Sequence, residues 1–100
     1  YRRVDLEVGI SYDDNVVHAQ KIIKEVLSKH PLILKDPLPD VEVLRFGESS
    51  VDFAVRPYCE VKDYWTVYFD SYKEIKIALD ANNITIPFPQ RDVHMIETKK

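Results

Sequence analysis

Val4-Asp5-Leu6-Glu7-Val8-Gly9-Ile10 alternates apolar with polar or small residues. Val4, Leu6, Val8 and Ile10 fall on one side and Asp5 and Glu7 on the other, the period of two that marks a strand with one wet face. Gly9 sits in the outer row, where a missing side chain predicts a bulge or a close approach by another element. Directly after it, Ser11-Tyr12-Asp13-Asp14-Asn15 breaks the pattern and offers several N-cap oxygens. Val16, Ala19, Ile22, Ile23, Val26 and Leu27 then recur at spacings of three and four, with Lys21, Lys24, Glu25 and Lys29 between them. That is an amphipathic helix of about four turns. It stops by His30, because Pro31 pushes the residue before it out of the helical region.

Working outward from this strand–helix unit, Leu32 to Leu34 and the pair Pro37 and Pro39 read as an ordered connector, since two prolines so close together exclude a central strand. Val41 and Val43, with Leu44 and Phe46 on the opposite side, begin a second strand. Gly47-Glu48-Ser49-Ser50 is a turn, and Val51, Phe53 and Val55 alternate beyond it, which makes a β-hairpin. Pro57 cannot donate to a ladder, so the second arm is expected at an edge or bulged near its end. Asp63 is a plausible N-cap for a second helix whose inner stripe is expected to be Trp65, Tyr68, Tyr72, Ile75 and Leu79, widened by Phe69 and Ala78. Asn82-Asn83 tolerates a left-handed C-terminal turn, and Ile84, Thr85 and Ile86 form a short β-prone run. The order strand, helix, strand, strand, helix, strand is the split βαβ pattern of a ferredoxin-like βαββαβ sandwich in the α+β class, spanning residues 1–86.

Residues 87–100 are left over. Pro87-Phe88-Pro89 fixes an extended link, and residues 90–97 alternate as one more strand, with Val93 and Met95 on one side and His94 and Ile96 on the other. A lone strand costs roughly 1–2 kcal/mol of backbone entropy per residue and leaves its hydrogen bonds unmet. It therefore either folds back on its own sheet or joins strands from other chains.

Composition narrows the function classes. One hundred residues, 45% hydrophobic and 31% charged, suit a single domain with one core. Fourteen Lys and Arg against 17 Asp and Glu give a net charge of −3, which argues against a nucleic-acid binder because phosphate neutralisation needs a basic face. The single cysteine, Cys59, excludes an intramolecular disulfide framework. No apolar run reaches the roughly 18 residues needed to span a bilayer, and no signal peptide opens the chain. The first residue is Tyr1 rather than Met, as expected of a piece of a longer protein.

A search for chemistry finds none. His18, His30 and His94 lack the short spacings of a metal site and read as solvated or capping residues, so no metal or cofactor is expected. Cys59 has no histidine nearby in sequence and reads as a buried small hydrophobe. Asp13 and Asp14 could form a carboxylate pair, but at the mouth of a helix they read as caps favoured by the helix dipole. Gly47-Glu48-Ser49-Ser50 has one glycine, an acidic residue and no following helix, which suits a hairpin turn better than a phosphate cradle. Tyr64, Trp65, Tyr68, Phe69 and Tyr72 lack interleaved Lys or Arg and follow helical spacing, so they are expected in the core rather than stacked on bases. No catalytic residue is assigned, and the chain is not expected to be an enzyme.

Several stretches, taken together and in order, resemble the C-terminal cytoplasmic part of the small-conductance mechanosensitive channel (MscS) family. They are Gly9-Ile10-Ser11-Tyr12-Asp13, Ile33-Leu34-Lys35-Asp36, Gly47-Glu48-Ser49-Ser50-Val51-Asp52-Phe53, Asp63 with Val67-Tyr68-Phe69-Asp70, and Ile84-Thr85-Ile86-Pro87-Phe88-Pro89-Gln90-Arg91-Asp92-Val93. The last of these is the most specific. Asn82-Asn83 departs from the pattern where family members often place a glycine, which bears on that turn alone. The resemblance implies a channel of the cell inner membrane whose pore helices and middle β-domain precede Tyr1. Membrane contact would run only through those segments, with this domain on the cytoplasmic side. It further implies a homo-oligomer, a heptamer in the full-length channel, whose α/β domains form a hollow cage with side portals. The cage would shape solute and ion access to a pore released by membrane tension during osmotic downshock. Each final strand would enter a parallel intersubunit β-barrel, with Pro87, Phe88, Pro89, Gln90, Asp92, Val93 and Met95 as the oligomerisation residues. No cofactor, catalytic residue or nucleic-acid partner is implied.

Two other classes fit the same topology. One is a ferredoxin-like regulatory domain sensing a small molecule between paired sheets. The other, an acylphosphatase-like enzyme, lacks a plausible phosphate loop.

Overall fold

The computed structural model describes residues 1–87. Two helices and two small sheets follow one another as β1 (Arg2–Arg3), β2 (Leu6–Ile10), α1 (Val16–Lys29), β3 (Asp40–Phe46), β4 (Val51–Arg56), β5 (Tyr58–Cys59) and α2 (Tyr64–Ala81). The three longer strands form an antiparallel sheet in the order β2-β4-β3, and β1 pairs with β5 in a separate ribbon. This is the α+β architecture expected from the strand–helix–hairpin–helix order.

The period-two rows supply one half of the core. Leu6, Val8 and Ile10 on β2 stand with Val51, Phe53 and Val55 on β4 and Val41 on β3, all buried. Ala19, Ile22, Ile23 and Leu27 of α1 and Val67, Ile75 and Leu79 of α2 complete the same buried cluster. Each large side chain fully withdrawn from water contributes about 1.5–3 kcal/mol. Asn15 caps α1, its side-chain oxygen accepting the His18 N–H at 2.9 Å. Asp13 and Asp14, expected as caps, are not the residues that do so.

The helix ends at His30 as Pro31 requires. The His30 Nδ1 accepts the Leu32 N–H at 3.1 Å and its Nε2 lies 2.9 Å from the Asp70 carboxylate, so this side chain joins the end of α1 to α2. The connector to β3 carries no strand.

Three local expectations are corrected. β4 is the central strand rather than an edge or a bulged arm, because Pro57 falls one residue past its end and needs no ladder donor; the Pro57 carbonyl accepts the Val4 N–H at 2.8 Å. The bulge lies instead on β3, between Val43 and Arg45. Val43, Leu44 and Phe46 around it are exposed.

The inner stripe of α2 is rotated relative to the expected one. Val67, Ser71, Ile75 and Leu79 are buried, whereas Trp65 and Phe69 are 61% and 63% exposed. The small side chains at 67 and 71 let the helix sit close to its neighbours, and the bulky rings are pushed to the flank. Finally, Ile84 to Ile86 are not a strand, for reasons that belong to the site.

Candidate assembly surface

Residues 82–87 form an exit segment from α2, and residues 82–85 of it are fastened by hydrogen bonds. Asn83 takes a left-handed backbone, φ 61°, which an asparagine tolerates at a helix C-terminus. Its turn lets the Ile84 N–H reach the Leu79 carbonyl at 2.9 Å, and Ile84 is buried in the core. The Thr85 N–H then donates to the Asp14 carboxylate at 2.9 Å, while the Thr85 carbonyl accepts the Ser11 N–H at 2.9 Å.

The exit segment thus lies along the outer edge of β2, where a fourth strand of a ferredoxin-like sheet would pair. Only the Ser11 amide is met by it. The next outward donors on that edge are Glu7 and Gly9, because outward amides alternate along an edge strand. The Glu7 N–H is taken by the Tyr72 hydroxyl at 3.2 Å. A tyrosine from α2 therefore occupies part of the ladder that the β-prone run 84–86 was expected to complete.

Pro87 borders a cleft that it shares with Arg45, Gly47 and Asp52, at the turn of the β3–β4 hairpin. Of the oligomerisation residues expected from sequence, Pro87 is placed here. Phe88, Pro89, Gln90, Asp92, Val93 and Met95 lie outside the described residues.

The hairpin turn is itself a fitted part. The Gly47 N–H donates to the Ser50 carbonyl at 2.7 Å, and the Tyr12 hydroxyl donates to the Gly47 carbonyl. Ser50 Oγ donates to Asp52 Oδ1 at 2.6 Å. Arg45 bridges the Asp52 carboxylate, at 3.3 Å, and that of Glu7, at 2.7 Å, so one guanidinium spans all three strands of the sheet. A Cβ on Gly9 would come within 2.9 Å of Asp52 Oδ1 and 3.1 Å of Ser50 Oγ. The close approach expected at Gly9 is therefore real, and its source is the neighbouring strand. Gly47-Glu48-Ser49-Ser50 is a turn, as its composition indicates, closed by the Gly47–Ser50 hydrogen bond and tied to Tyr12 and Asp52.

The aromatic row of α2, expected in the core, is divided: Tyr64 and Tyr68 are half-buried against the core, whereas Trp65, Phe69 and Tyr72 are exposed. Trp65 and Phe69 stack at 5.8 Å between ring centroids, and Arg2 lies 4.0 Å over the Tyr64 ring. What the sequence reading missed here was legible in the small residues at 67 and 71, which mark the true packing face. It also missed Asp14 as a clamp; three polar residues in a row at 13–15 exceed what one cap requires.

Burial governs two further side chains. Cys59 is fully buried, and burial pushes its thiol up, away from the thiolate a nucleophile needs. Burial likewise pushes the Tyr72 hydroxyl up, so it stays a donor or acceptor in neutral form. Among the described residues no three His, Cys, Asp or Glu side chains converge on a metal position, and no helix is long and apolar enough to cross a membrane.

Residues 4–86 match the family described as mechanosensitive ion channel MscS, C-terminal. A small-conductance mechanosensitive channel of Edwardsiella ictaluri is 39% identical over 99 residues, covering 99% of this chain and 35% of that protein. An uncharacterized MscS family protein of Synechocystis is 39% identical over 101 residues, covering 99% of this chain and 34% of that protein. The crystal structure of Helicobacter pylori MscS in its closed state superposes with a TM-score of 0.82 at 33% identity, over 87% of this chain and 35% of that one. The chain spans about a third of the length of the curated relatives it matches.

Proposed function

The chain belongs to the mechanosensitive ion channel MscS family, as its C-terminal domain, and from that premise we propose that it is the cytosolic vestibule of a channel in the cell inner membrane. In this reading residues 1–86 form one wall segment of a hollow cage built from seven copies, and residues 87–100 are the link and the strand that each copy gives to an intersubunit parallel β-barrel. Pro87, Phe88, Pro89, Gln90, Asp92, Val93 and Met95 are the contacts of that junction. Segments beyond this chain hold the pore, which membrane tension opens during osmotic downshock. The cage controls which solutes and ions reach that pore, a role that needs shape and charge rather than a catalytic group or a cofactor.

The observation that carries this reading is the match along residues 4–86 to the C-terminal domain of a channel family. The exit geometry supports it. Thr85 is held on two sides, by Asp14 and by Ser11, so whatever follows Pro87 starts from a fixed point. A strand delivered from a fixed point in every copy can meet its sisters repeatedly around a ring, where many weak contacts add through avidity. Closing the ring also removes the strand edges that a lone tail leaves bare.

The test is the solution mass of the chain beside that of a variant ending at residue 86 and of Val93→Asp. The expected result is an oligomer for the first and monomers for the other two, with native circular dichroism in all three. Equal masses throughout would refute the junction, and loss of the fold in Val93→Asp would mean that the strand belongs to its own domain.

A further inference from the structure

A second concave surface lies at the opposite end of α1. The helix ends at Lys29, and Pro31, Pro37 and Pro39 shape the connector that returns past its last two turns. Between them is a cleft of about 320 Å³. Its floor is apolar: Leu27 and Ile33, both buried, with Leu34 beside them. Leu38 stands at the mouth, 74% exposed, an apolar side chain with nothing over it among the described residues.

Two cations border this apolar space, Lys24 and Lys35. No carboxylate lies within 4.0 Å of either ammonium among the described residues, although six other ion pairs form on the same domain. Lys35 is not loose: its Nζ donates to the Ser28 carbonyl at 3.2 Å, which neutralises the end of the α1 dipole and fixes the charge at the rim. A cleft with an apolar floor and a few convergent polar groups is the usual form of a small-molecule site, and this volume is at the lower end of that range. At about 30 Å³ per water-sized group it holds roughly ten non-hydrogen atoms.

We propose that this cleft binds a small amphiphilic carboxylate, a medium-chain fatty acid in its monomeric form, with the chain on Leu27, Ile33, Leu34 and Leu38 and the carboxylate between Lys24 and Lys35. The size selects about eight carbons with a carboxylate. Two monocations on the rim, with no carboxylate within 4.0 Å among the described residues, select a single negative charge over a neutral head, and the apolar floor rejects a fully hydrated anion. Occupancy covers Leu38 and ties the connector to α1.

The experiment titrates the intact chain with octanoate, octanol and acetate while following its backbone amide resonances. Octanoate is expected to move the amides of Lys24, Leu27, Ile33, Leu34 and Leu38 saturably, with a dissociation constant in the millimolar range. Octanol is expected to bind about tenfold more weakly, and acetate to produce no saturable change at these amides. Lys24→Glu, on an exposed helix position, should weaken octanoate about tenfold and leave octanol unchanged. Lys35→Met gives a second reading of the rim without placing an anion at the helix end, and is expected to weaken octanoate by a few fold. Leu38→Ser should weaken both eight-carbon ligands. Equal octanoate and octanol affinities unaffected by Lys24→Glu, shifts centred on another face, or acetate acting like octanoate would each overturn the proposal. So would a change of oligomeric mass in Leu38→Ser, which would give the cleft to a second copy. None of these readings depends on the vestibule assignment.

Discussion

Gly9→Ala isolates the argument for the sheet surface. Gly9 does not have a positive φ, so its presence answers a need for room rather than for backbone freedom. The added Cβ would meet Asp52 Oδ1 at 2.9 Å, Ser50 Oγ at 3.1 Å and Ser50 Cβ at 3.2 Å. Asp52 cannot swing away freely, because Ser50 and Arg45 hold its two oxygens and its side chain is only 17% exposed. Overpacking of this kind costs about 1–3 kcal/mol. Replacing glycine in a strand returns roughly 0.5–1 kcal/mol by restricting the unfolded chain. The net expectation is a loss of about 1 kcal/mol, which for a domain of this size lowers Tm by about 4–8 °C. Urea and thermal unfolding followed by circular dichroism would measure it. The decisive comparison is the same substitution in an Asp52→Ala background, where the nearest obstacle is gone. There Gly9→Ala should be close to neutral, a coupling of at least about 0.5 kcal/mol between the two sites. Stabilisation by Gly9→Ala alone, or equal losses in both backgrounds, would refute the reasoning.

Two further outcomes test the exit clamp and the buried thiol. Asp14→Ala removes the acceptor of the Thr85 N–H and should cost about 1 kcal/mol; hydrogen exchange at the Thr85 amide should speed up severalfold while that of Ala54, in the central strand, is unchanged, and an unaltered Thr85 rate would count against the clamp. Cys59 has its thiol pushed up by burial from an ordinary value of 9.0, so above that pH the unfolded chain releases its proton first. The stabilisation is complete below pH 9 and is lost as pH rises toward the higher folded value, with a limiting slope of about 1.4 kcal/mol per pH unit. Cys59→Ala should flatten that slope between pH 9 and 10, below the range in which Tyr72 acts in the same direction; an identical slope in both proteins would contradict the assignment.

How far the sequence could be read depended on whether a feature was local. The alternation of residues 4–10, the three-and-four spacing of α1 and the hairpin are each decided by neighbours within a few positions; the helix and hairpin are present where the pattern puts them, and the strand occupies Leu6–Ile10 of the expected run. Asn83 takes the left-handed turn its type allows. The errors arise where two distant segments compete for one partner. Ile84 to Ile86 have the composition of a strand, but the edge they would join is shared with the Tyr72 hydroxyl, a contact across 65 residues. The aromatic row of α2 has the hydrophobicity of a core stripe, but packing selects the face whose side chains fit the available space. Val67 and Ser71 fit it, and Trp65 does not. Hydrophobicity alone cannot distinguish a ring that packs inside its own domain from one left on the surface.

That distinction bears on how copies of this domain could meet in the cage proposed above. The order β2-β4-β3 leaves two sheet edges, and either could in principle extend into another copy. Both are blunted. The β2 edge is engaged by Tyr72 at Glu7 and by Thr85 at Ser11. The β3 edge carries the bulge at Val43/Arg45 and the charged residues Asp40, Glu42 and Arg45, devices that oppose edge-to-edge pairing. Sheet extension is therefore a poor route to assembly for this domain. What its described residues do present is side-chain surface, the Trp65–Phe69 stack on one flank and Phe46, 75% exposed, on another, together with Pro87 beside the hairpin turn. Contacts through such surfaces have less directional backbone pairing to impose a register. In the cage proposed above, a ring made from them would need a separate element to fix the order of its members, which is the task that proposal gives to residues 87–100.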